Sequence, residues 1–348
     1  MRVAVTGATG NVGLSLVRAL LDEPSVDGVV GIARRPPDLD WPGVTWRQAD
    51  VSTSDLDPLF TGMDAVVHLA WAIQPSHDEA RLARTNVLGS ERVFRATGRA
   101  HIPILVHASS VGAYSPGPSE GLIDESWPVA GVPSSFYSRH KAIAESMLDQ
   151  IEREYPDMRS VRMRPSLIFR RGQGSEVRRL FLGPLVPNAL FRPGWLRILP
   201  DIGGLQLQVV HTDDVARAYV SALMNDVEGP FNLAAEPVLS AASVADALGI
   251  RAIKVPRALV RQAVSLTWKG HLQPSPPGWL DMGMNAPLMS TQRARSLLGW
   301  SPERPAMAVV RELLDGMSTG SGDPTPPLVP DSPAGRVREL VSGVGQVP

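Results

Sequence analysis

Thr6-Gly7-Ala8-Thr9-Gly10-Asn11-Val12-Gly13 follows the apolar run Val3–Thr6 and opens the amphipathic segment Val12–Leu21. Strand, glycine-rich turn and helix in that order form a dinucleotide-binding unit. Gly7 permits a tight turn. Gly10 removes a side chain where the backbone must approach a pyrophosphate. Gly13 lets helix and strand pack closely. The helix N-terminus, through Asn11 and Val12, offers amide N–H groups and a partial positive charge to phosphates. A lone glycine triplet also fits a structural turn, and the context decides for the phosphate reading.

The same alternation continues outward from this unit. Val29–Ala33, Ala65–Leu69, Ile104–Ala108 and Val161–Met163 read as buried strands, and Val12–Leu21, Ala80–Arg99 and Ser135–Glu154 as helices. Apolar runs without polar alternation belong to strands covered on both faces, as in a parallel sheet. The fold expected is α/β: a doubly wound parallel Rossmann sheet with a smaller, irregular C-terminal substrate domain. The Rossmann domain is placed at 1–165, with a returning segment at about 206–235. The substrate domain takes 166–205 and 236–317. Residues 318–348, rich in Pro, Gly and Ser, read as a flexible tail with one weak helix near Val337–Val341.

Composition narrows the chemistry. The 348 residues carry a formal net charge of −1, which gives no broad reason to expect nucleic acid or an anionic membrane as partner. There is no cysteine, so thiolate catalysis, disulfides and Cys-type metal sites are excluded. The seven histidines show no ligand spacing, and no metal is expected. No apolar run reaches membrane-span length and the N-terminus lacks a signal-peptide pattern, so a cytoplasmic location is the expectation.

The end of the second strand selects the dinucleotide. A carboxylate there would accept a bond from the ribose 2′-OH and repel a 2′-phosphate. The sequence instead reads Gly31-Ile32-Ala33-Arg34-Arg35-Pro36. Arg34 can fork onto a phosphate, which favours NADP and leaves NAD open. A solvated arginine pair, or Arg34 stacked on adenine, is the plainer alternative.

Phe136-Tyr137-Ser138-Arg139-His140-Lys141 starts the third helix, and spacing i,i+4 puts Tyr137 and Lys141 on one face. Ionising a tyrosine at pH 7 costs about 4 kcal/mol, and a neighbouring ammonium offsets much of that. Tyr137 can then exchange a proton with a substrate oxygen while hydride moves. Such a pair is common on ordinary helices. Its weight comes from the strand ending in Ala108-Ser109-Ser110, because strand C-termini are where α/β sheets bind ligands. Ser110 can bond the reacting oxygen, while Ser109 reads as structural.

These motifs together resemble the extended short-chain dehydrogenase/reductase superfamily, the NAD-dependent epimerase/dehydratase family, from Met1 to about Gly316. The resemblance implies catalytic roles for Ser110, Tyr137 and Lys141, with Lys141 also holding ribose hydroxyls. It places Asp50 and Val51 at adenine, Leu69 and Ala70 along the cofactor channel, and Asn86 near the nicotinamide riboside. Backbone following Pro165 would hold the carboxamide. Helices 80–99 and 135–154 pair across a homodimer in such proteins. Asp213 and Asp214 read as caps of the helix beginning near Val215.

Departures bear on substrate. Val111-Gly112-Ala113 stands where family dehydratases carry Asp-Glu, which disfavours water elimination. Leu207-Gln208-Val209 lacks the Arg-Asp of many nucleotide-sugar members. Arg170, Arg171, Arg178 and Arg179 either bind an anionic substrate or form a solvated loop. Trp71, Trp195, Trp268 and Trp279 are candidates for a pocket wall, with core packing the plainer role. The leading reading is a small-molecule oxidoreductase. A redox-neutral sugar epimerase with tightly bound NAD and a non-catalytic dinucleotide sensor are the alternatives.

Overall fold

Val3, Ala4 and Val5 have no exposed surface, and a strand with two buried faces needs a covering layer on each side. The computed structural model, which describes residues 1–74, 76–118, 120–192 and 194–342, supplies both layers. Its central sheet contains β1 (Arg2–Thr6), β2 (Gly28–Ala33), β3 (Val44–Gln48), β4 (Ala65–His68), β5 (Ile104–Ala108), β6 (Arg159–Pro165) and β7 (Gly229–Leu233). All pairings are parallel, in the order β7-β6-β5-β4-β1-β2-β3. The order reverses between β1 and β4, and the crevice beyond their C-terminal ends is where such sheets take ligands.

One layer is α1 (Asn11–Leu21) with α4 (Thr212–Met224); Leu16, Val17 and Leu20 of α1 and Val215, Ala218 and Tyr219 of α4 join one core. The other is α2 (Gly89–Arg99) with α3 (Phe136–Glu154), which bury Val93, Phe94, Leu148 and Ile151 in a second core. The returning segment thus supplies both a helix and the seventh strand.

Three elements differ from the sequence reading. Strand β3 carries no apolar run because it is an edge strand: Thr45, Arg47 and Gln48 face water and dilute the apolar signal. The expected helix 80–99 is broken into Glu79–Ala83, a π-helical turn Arg84–Leu88, and α2. The cap of α4 is His211, whose Nδ1 accepts from the Asp213 amide at 3.1 Å; Asp213 and Asp214 lie in the first turn instead. Asp214 is fully buried and accepts from the amides of Glu303 and Arg304, so it fixes the loop after Trp300.

Beyond the sheet lie small strand pairs and the helices Ala241–Leu248, Arg257–Lys269, Pro277–Asn285, Gln292–Leu297 and Ala306–Thr319. Residues 318–342 depart from the expected flexible tail. They form a packed strap that ends in a helix, Pro333–Ser342. Leu328 has no exposed surface, and Arg178, 1% exposed, pairs with Asp331 and Glu339. The Pro, Gly and Ser content that suggested flexibility reflects turns, which these ion pairs and Arg336, bonded to Asp331 and Asn188, hold in place. Residues 343–348 of the expected tail lie outside the described residues. Among the described residues, no helix is long and apolar enough to cross a membrane.

Candidate active site

The glycine turn is built as its chemistry requires. Gly7 has φ +72°, and a Cβ there would lie 2.6 Å from the Ala70 amide nitrogen. A Cβ at Gly13 would lie 2.4 Å from the Gly7 carbonyl. These two glycines are therefore required by the fold itself. Gly10 differs, because a Cβ there would approach only the Gly7 carbonyl, at 3.3 Å. No other atom beyond its chain neighbours lies within 4 Å of that position, which leaves room for a phosphate at the N-terminus of α1. The loop thus fits a dinucleotide.

The remaining cofactor candidates lie around this turn. Leu69 packs on the core, and its amide donates to the Thr6 carbonyl; Ala70 follows at the close approach to Gly7. Arg34 is exposed at the end of β2. Burial opposes ionisation of the nearby Asp50 carboxyl, but bonds from the Ser52 hydroxyl and amide, with a smaller contribution from the Arg34 charge, hold it below the usual range. Val51 is buried against Gly89. Asn86 is fully buried in the π-helical turn, a distortion frequent at functional sites. Its side-chain amide accepts from the Ala72 amide at 2.7 Å and donates to the Ala72 carbonyl at 3.0 Å, with His140 Nδ1 also 3.5 Å from its nitrogen. It therefore fixes the loop after β4. The donors just after Pro165 are also engaged, Ser166 with the Leu233 carbonyl at 2.8 Å and Leu167 with the Gln208 carbonyl at 3.3 Å. These two amides are engaged within the protein, which leaves the backbone carbonyls of this stretch as the groups that could meet a carboxamide. The Ser166 hydroxyl is buried without a hydrogen-bond partner.

Ser110, Tyr137 and Lys141 converge beyond β5. Ser110 opens a 3-10 turn, Val111–Ala113, and accepts from the Gly112 amide at 3.0 Å. Helix α3 is capped by the Ser135 hydroxyl. Ser138 is tied to that turn, donating to the Gly112 carbonyl and accepting from the Val132 amide at 2.6 Å. This tether sets Tyr137 beside Ser110, near enough for the serine hydroxyl to act on the phenol. A Cβ on Gly112 would lie 3.0 Å from the Tyr137 ring, so the missing side chain permits the approach. Burial pushes the Tyr137 phenol up to about 12, and the Ser110 hydroxyl partly opposes it. Lys141 is 3% exposed, and burial holds its ammonium well below the ordinary lysine range. Its Nζ donates to the Ala108 carbonyl at 2.6 Å and lies 3.4 Å from the centre of the Trp71 ring. One of its three donors is thus engaged by the carbonyl and the aromatic face holds the charge.

Of the four tryptophans considered for a pocket wall, two stand at this site. Trp71 and Trp279 flank the Tyr137 ring, with centroids at 6.1 and 4.9 Å, and Phe136 and Phe181 close on Trp279. Both indole N–H groups are buried without a hydrogen-bond partner. Trp195 is instead exposed, and Trp268 stacks on His77. Behind the site, Ser109 donates to Glu145, which is buried and paired with Arg164. Arg164 donates to Tyr114 at 2.9 Å, and Tyr114 to Asn232 at 2.7 Å. That network locks the ends of β5, β6 and β7 to α3. Only the hydroxyl of Ser109 hinted at it, since its partners are far apart in sequence.

The family model for the NAD dependent epimerase/dehydratase family matches residues 3–234. The chain belongs to that family. Members similar to this epimerase/dehydratase-family chain include an uncharacterized protein of Mycobacterium tuberculosis, 29% identical over 306 residues. That alignment covers 87% of this chain but 28% of the relative, so the chain spans little more than a quarter of that protein. A 2-alkyl-3-oxoalkanoate reductase of Shewanella oneidensis is 30% identical over 233 residues, 63% of this chain and 56% of that one. In fold it resembles UDP-glucuronic acid 4-epimerase from Bacillus cereus, solved in complex with NAD. The TM-score is 0.67 at 17% identity, over 91% of this chain and 98% of that one. The relatives named in these comparisons include reductases, dehydratases and epimerases, which are enzymes.

Proposed function

We propose that this chain is an NAD(P)-dependent oxidoreductase that reduces a carbonyl or oxidises an alcohol on a small, largely apolar molecule. The observation that carries the reading is the convergence of Ser110, Tyr137 and Lys141 at the end of β5, beside Trp71, which follows the Ala70 that abuts Gly7. When bound, the nicotinamide supplies or accepts the hydride. The protein handles the proton: the Tyr137 hydroxyl transfers it to or from the substrate oxygen. The Ser110 hydroxyl orients that oxygen, and the Lys141 ammonium lowers the cost of a phenolate. Trp71, Trp279, Phe136 and Phe181 exclude water around Tyr137 and favour an apolar substrate over a diphosphate.

Arg34 at the end of β2, with no carboxylate in its place, supports NADP as the preferred dinucleotide. A tighter dissociation constant for NAD+ than for NADP+ would overturn that preference. The deciding experiment incubates the purified protein with NADPH and a panel of aliphatic and aromatic ketones. Steady NADPH consumption supports net redox chemistry. Tightly co-purifying NAD with interconversion of sugar epimers and no net consumption would establish the epimerase instead.

A further inference from the structure

Arginines at 170, 171, 178 and 179 look from sequence like a site for an anionic substrate, yet the fold gives three of them other partners. Arg171 pairs with Asp315 at 2.9 Å, Arg178 with Glu339 at 2.8 Å, and Arg179 donates to the Pro327 carbonyl at 2.6 Å. Arg170 stands apart. It is 7% exposed, and its Nε donates at 2.7 Å to Oδ1 of Asn11, the first residue of α1. Its Nη2 lies 2.6 Å from Asp323 Oδ2, but neither atom completes a properly angled hydrogen bond. The pair is held by charge and not by alignment.

We propose that Arg170 is a side-chain ligand for the dinucleotide pyrophosphate, and that Asp323 is the anion that occupies its guanidinium until the phosphate binds. A buried guanidinium beside a helix N-terminus puts two positive ends together, and such a place requires an anion. Asp323 is delivered by the C-terminal strap. The adjoining Thr325 is 1% exposed and donates to the Thr9 carbonyl at 2.9 Å. Strap and Arg170 therefore touch Thr9 and Asn11, the two neighbours of Gly10, the glycine left open for phosphate. A phosphate can meet the planar guanidinium with two aligned bonds, which Asp323 does not. Below Arg170 the strap is anchored independently, since the Asp331 amide donates to Ser175 at 2.9 Å and Arg178 pairs with Asp331. Losing the Asp323 contact need not unfold it.

Calorimetric titration with ADP-ribose, which carries the pyrophosphate but no nicotinamide, tests this without catalysis. Arg170→Ala is expected to weaken binding at least about tenfold, the scale of a charge-assisted hydrogen bond. Arg170→Lys, which keeps the charge and guards against a folding defect, recovers part of the loss because it lacks the fork. Asp323→Asn is expected to bind as tightly as the unsubstituted protein or tighter. ADP-ribose should also speed amide hydrogen exchange over residues 320–331 as Asp323 is released. Binding within twofold of wild type for Arg170→Ala would overturn the role of Arg170. Weakening by Asp323→Asn to the level of Arg170→Ala, or unchanged exchange in the strap, would overturn the exchange of anions. No ADP-ribose binding by the unsubstituted protein would instead overturn the dinucleotide reading itself.

Discussion

The Lys141 Nζ lies 2.6 Å from the carbonyl oxygen of Ala108, the residue that ends β5 and leads into Ser109 and Ser110. Through this bond one cation is fixed to the strand that presents Ser110 and to the helix that presents Tyr137. The placement of these side chains is set by the backbone of β5 and not by the helix alone. Tyr137→Phe should therefore remove the proton path without moving the site. Turnover is expected to fall about 10²–10⁴-fold, with NADP+ binding within twofold of wild type. Steady-state kinetics beside fluorescence titration checks this, and unchanged turnover would remove Tyr137 from the mechanism.

The pH dependence follows from the Tyr137 phenol, raised by burial to about 12. Carbonyl reduction needs the protonated phenol, which is present below its pKa. Its rate should stay level through neutral pH and fall only on the alkaline side. Alcohol oxidation needs the phenolate, so it should rise with pH. Rate profiles in both directions between pH 6 and 10 test the sign, and oxidation that declines as pH rises would contradict the assignment.

Glycines 10 and 13 should separate binding from folding. Gly13→Ala places a methyl 2.4 Å from the Gly7 carbonyl and should lower stability by about 1–3 kcal/mol, as overpacking does. Gly10→Ala meets one carbonyl at 3.3 Å, so the fold should hold while dinucleotide binding weakens. Urea unfolding and NADP+ titration of both variants would show this division, and equal loss of stability in both would refute it.

Glu145 is buried beside Arg164, whose guanidinium also bonds Tyr114 and the Glu125 carbonyl. Removing the carboxylate leaves a buried charge unpaired. Glu145→Ala should destabilise the protein by about 3–5 kcal/mol, read from the shift in urea midpoint. A smaller effect in Glu145→Gln is expected, because the amide oxygen still accepts from Arg164.

Acid should weaken the fold before the carboxylates titrate. Burial, helped by the Lys141 charge, lowers His68 to about 3; His107 and His140 move the same way, also chiefly through burial. Below pH 6.5 the unfolded chain binds these protons and the native state does not. Stability present above pH 6.5 is then lost as pH falls, by up to about 1.4 kcal/mol per unit for each histidine. Glu176, raised by burial to about 6, acts in the opposite sense, as do Glu125 and Asp149, also raised chiefly by burial, but the fully buried His68 and His107 are displaced further. The urea midpoint should thus be lower at pH 5 than at pH 7.5, and an unchanged or higher midpoint would contradict the linkage.

Much of the architecture was legible because it depends on local pattern. Continuous apolar runs marked the strands of the sheet interior, and Ser135 marked the start of α3 within one residue. Strand β3 was hidden by its wet edge. The π-helical turn at Arg84–Leu88 was hidden because no residue type demands it; it forms around the clamp of Asn86 on Ala72. The sequence leaves the arginines at 170, 171, 178 and 179 unassigned for a related reason: a charge in sequence does not reveal its partner, and these partners lie some 140 to 160 residues away.

The sequence by itself determined the glycine turn, the parallel alternation and the helical spacing of Tyr137 and Lys141. Each depends on residues a few positions apart, where backbone geometry is nearly fixed by residue type. Only the tertiary structure decided that Trp71 covers Lys141, that Glu145 and Arg164 brace the strand ends, and that Asp323 meets Arg170 beside Asn11. Those contacts arise where distant segments cross, and their energies come from burial and charge that exist only after the chain has closed on itself.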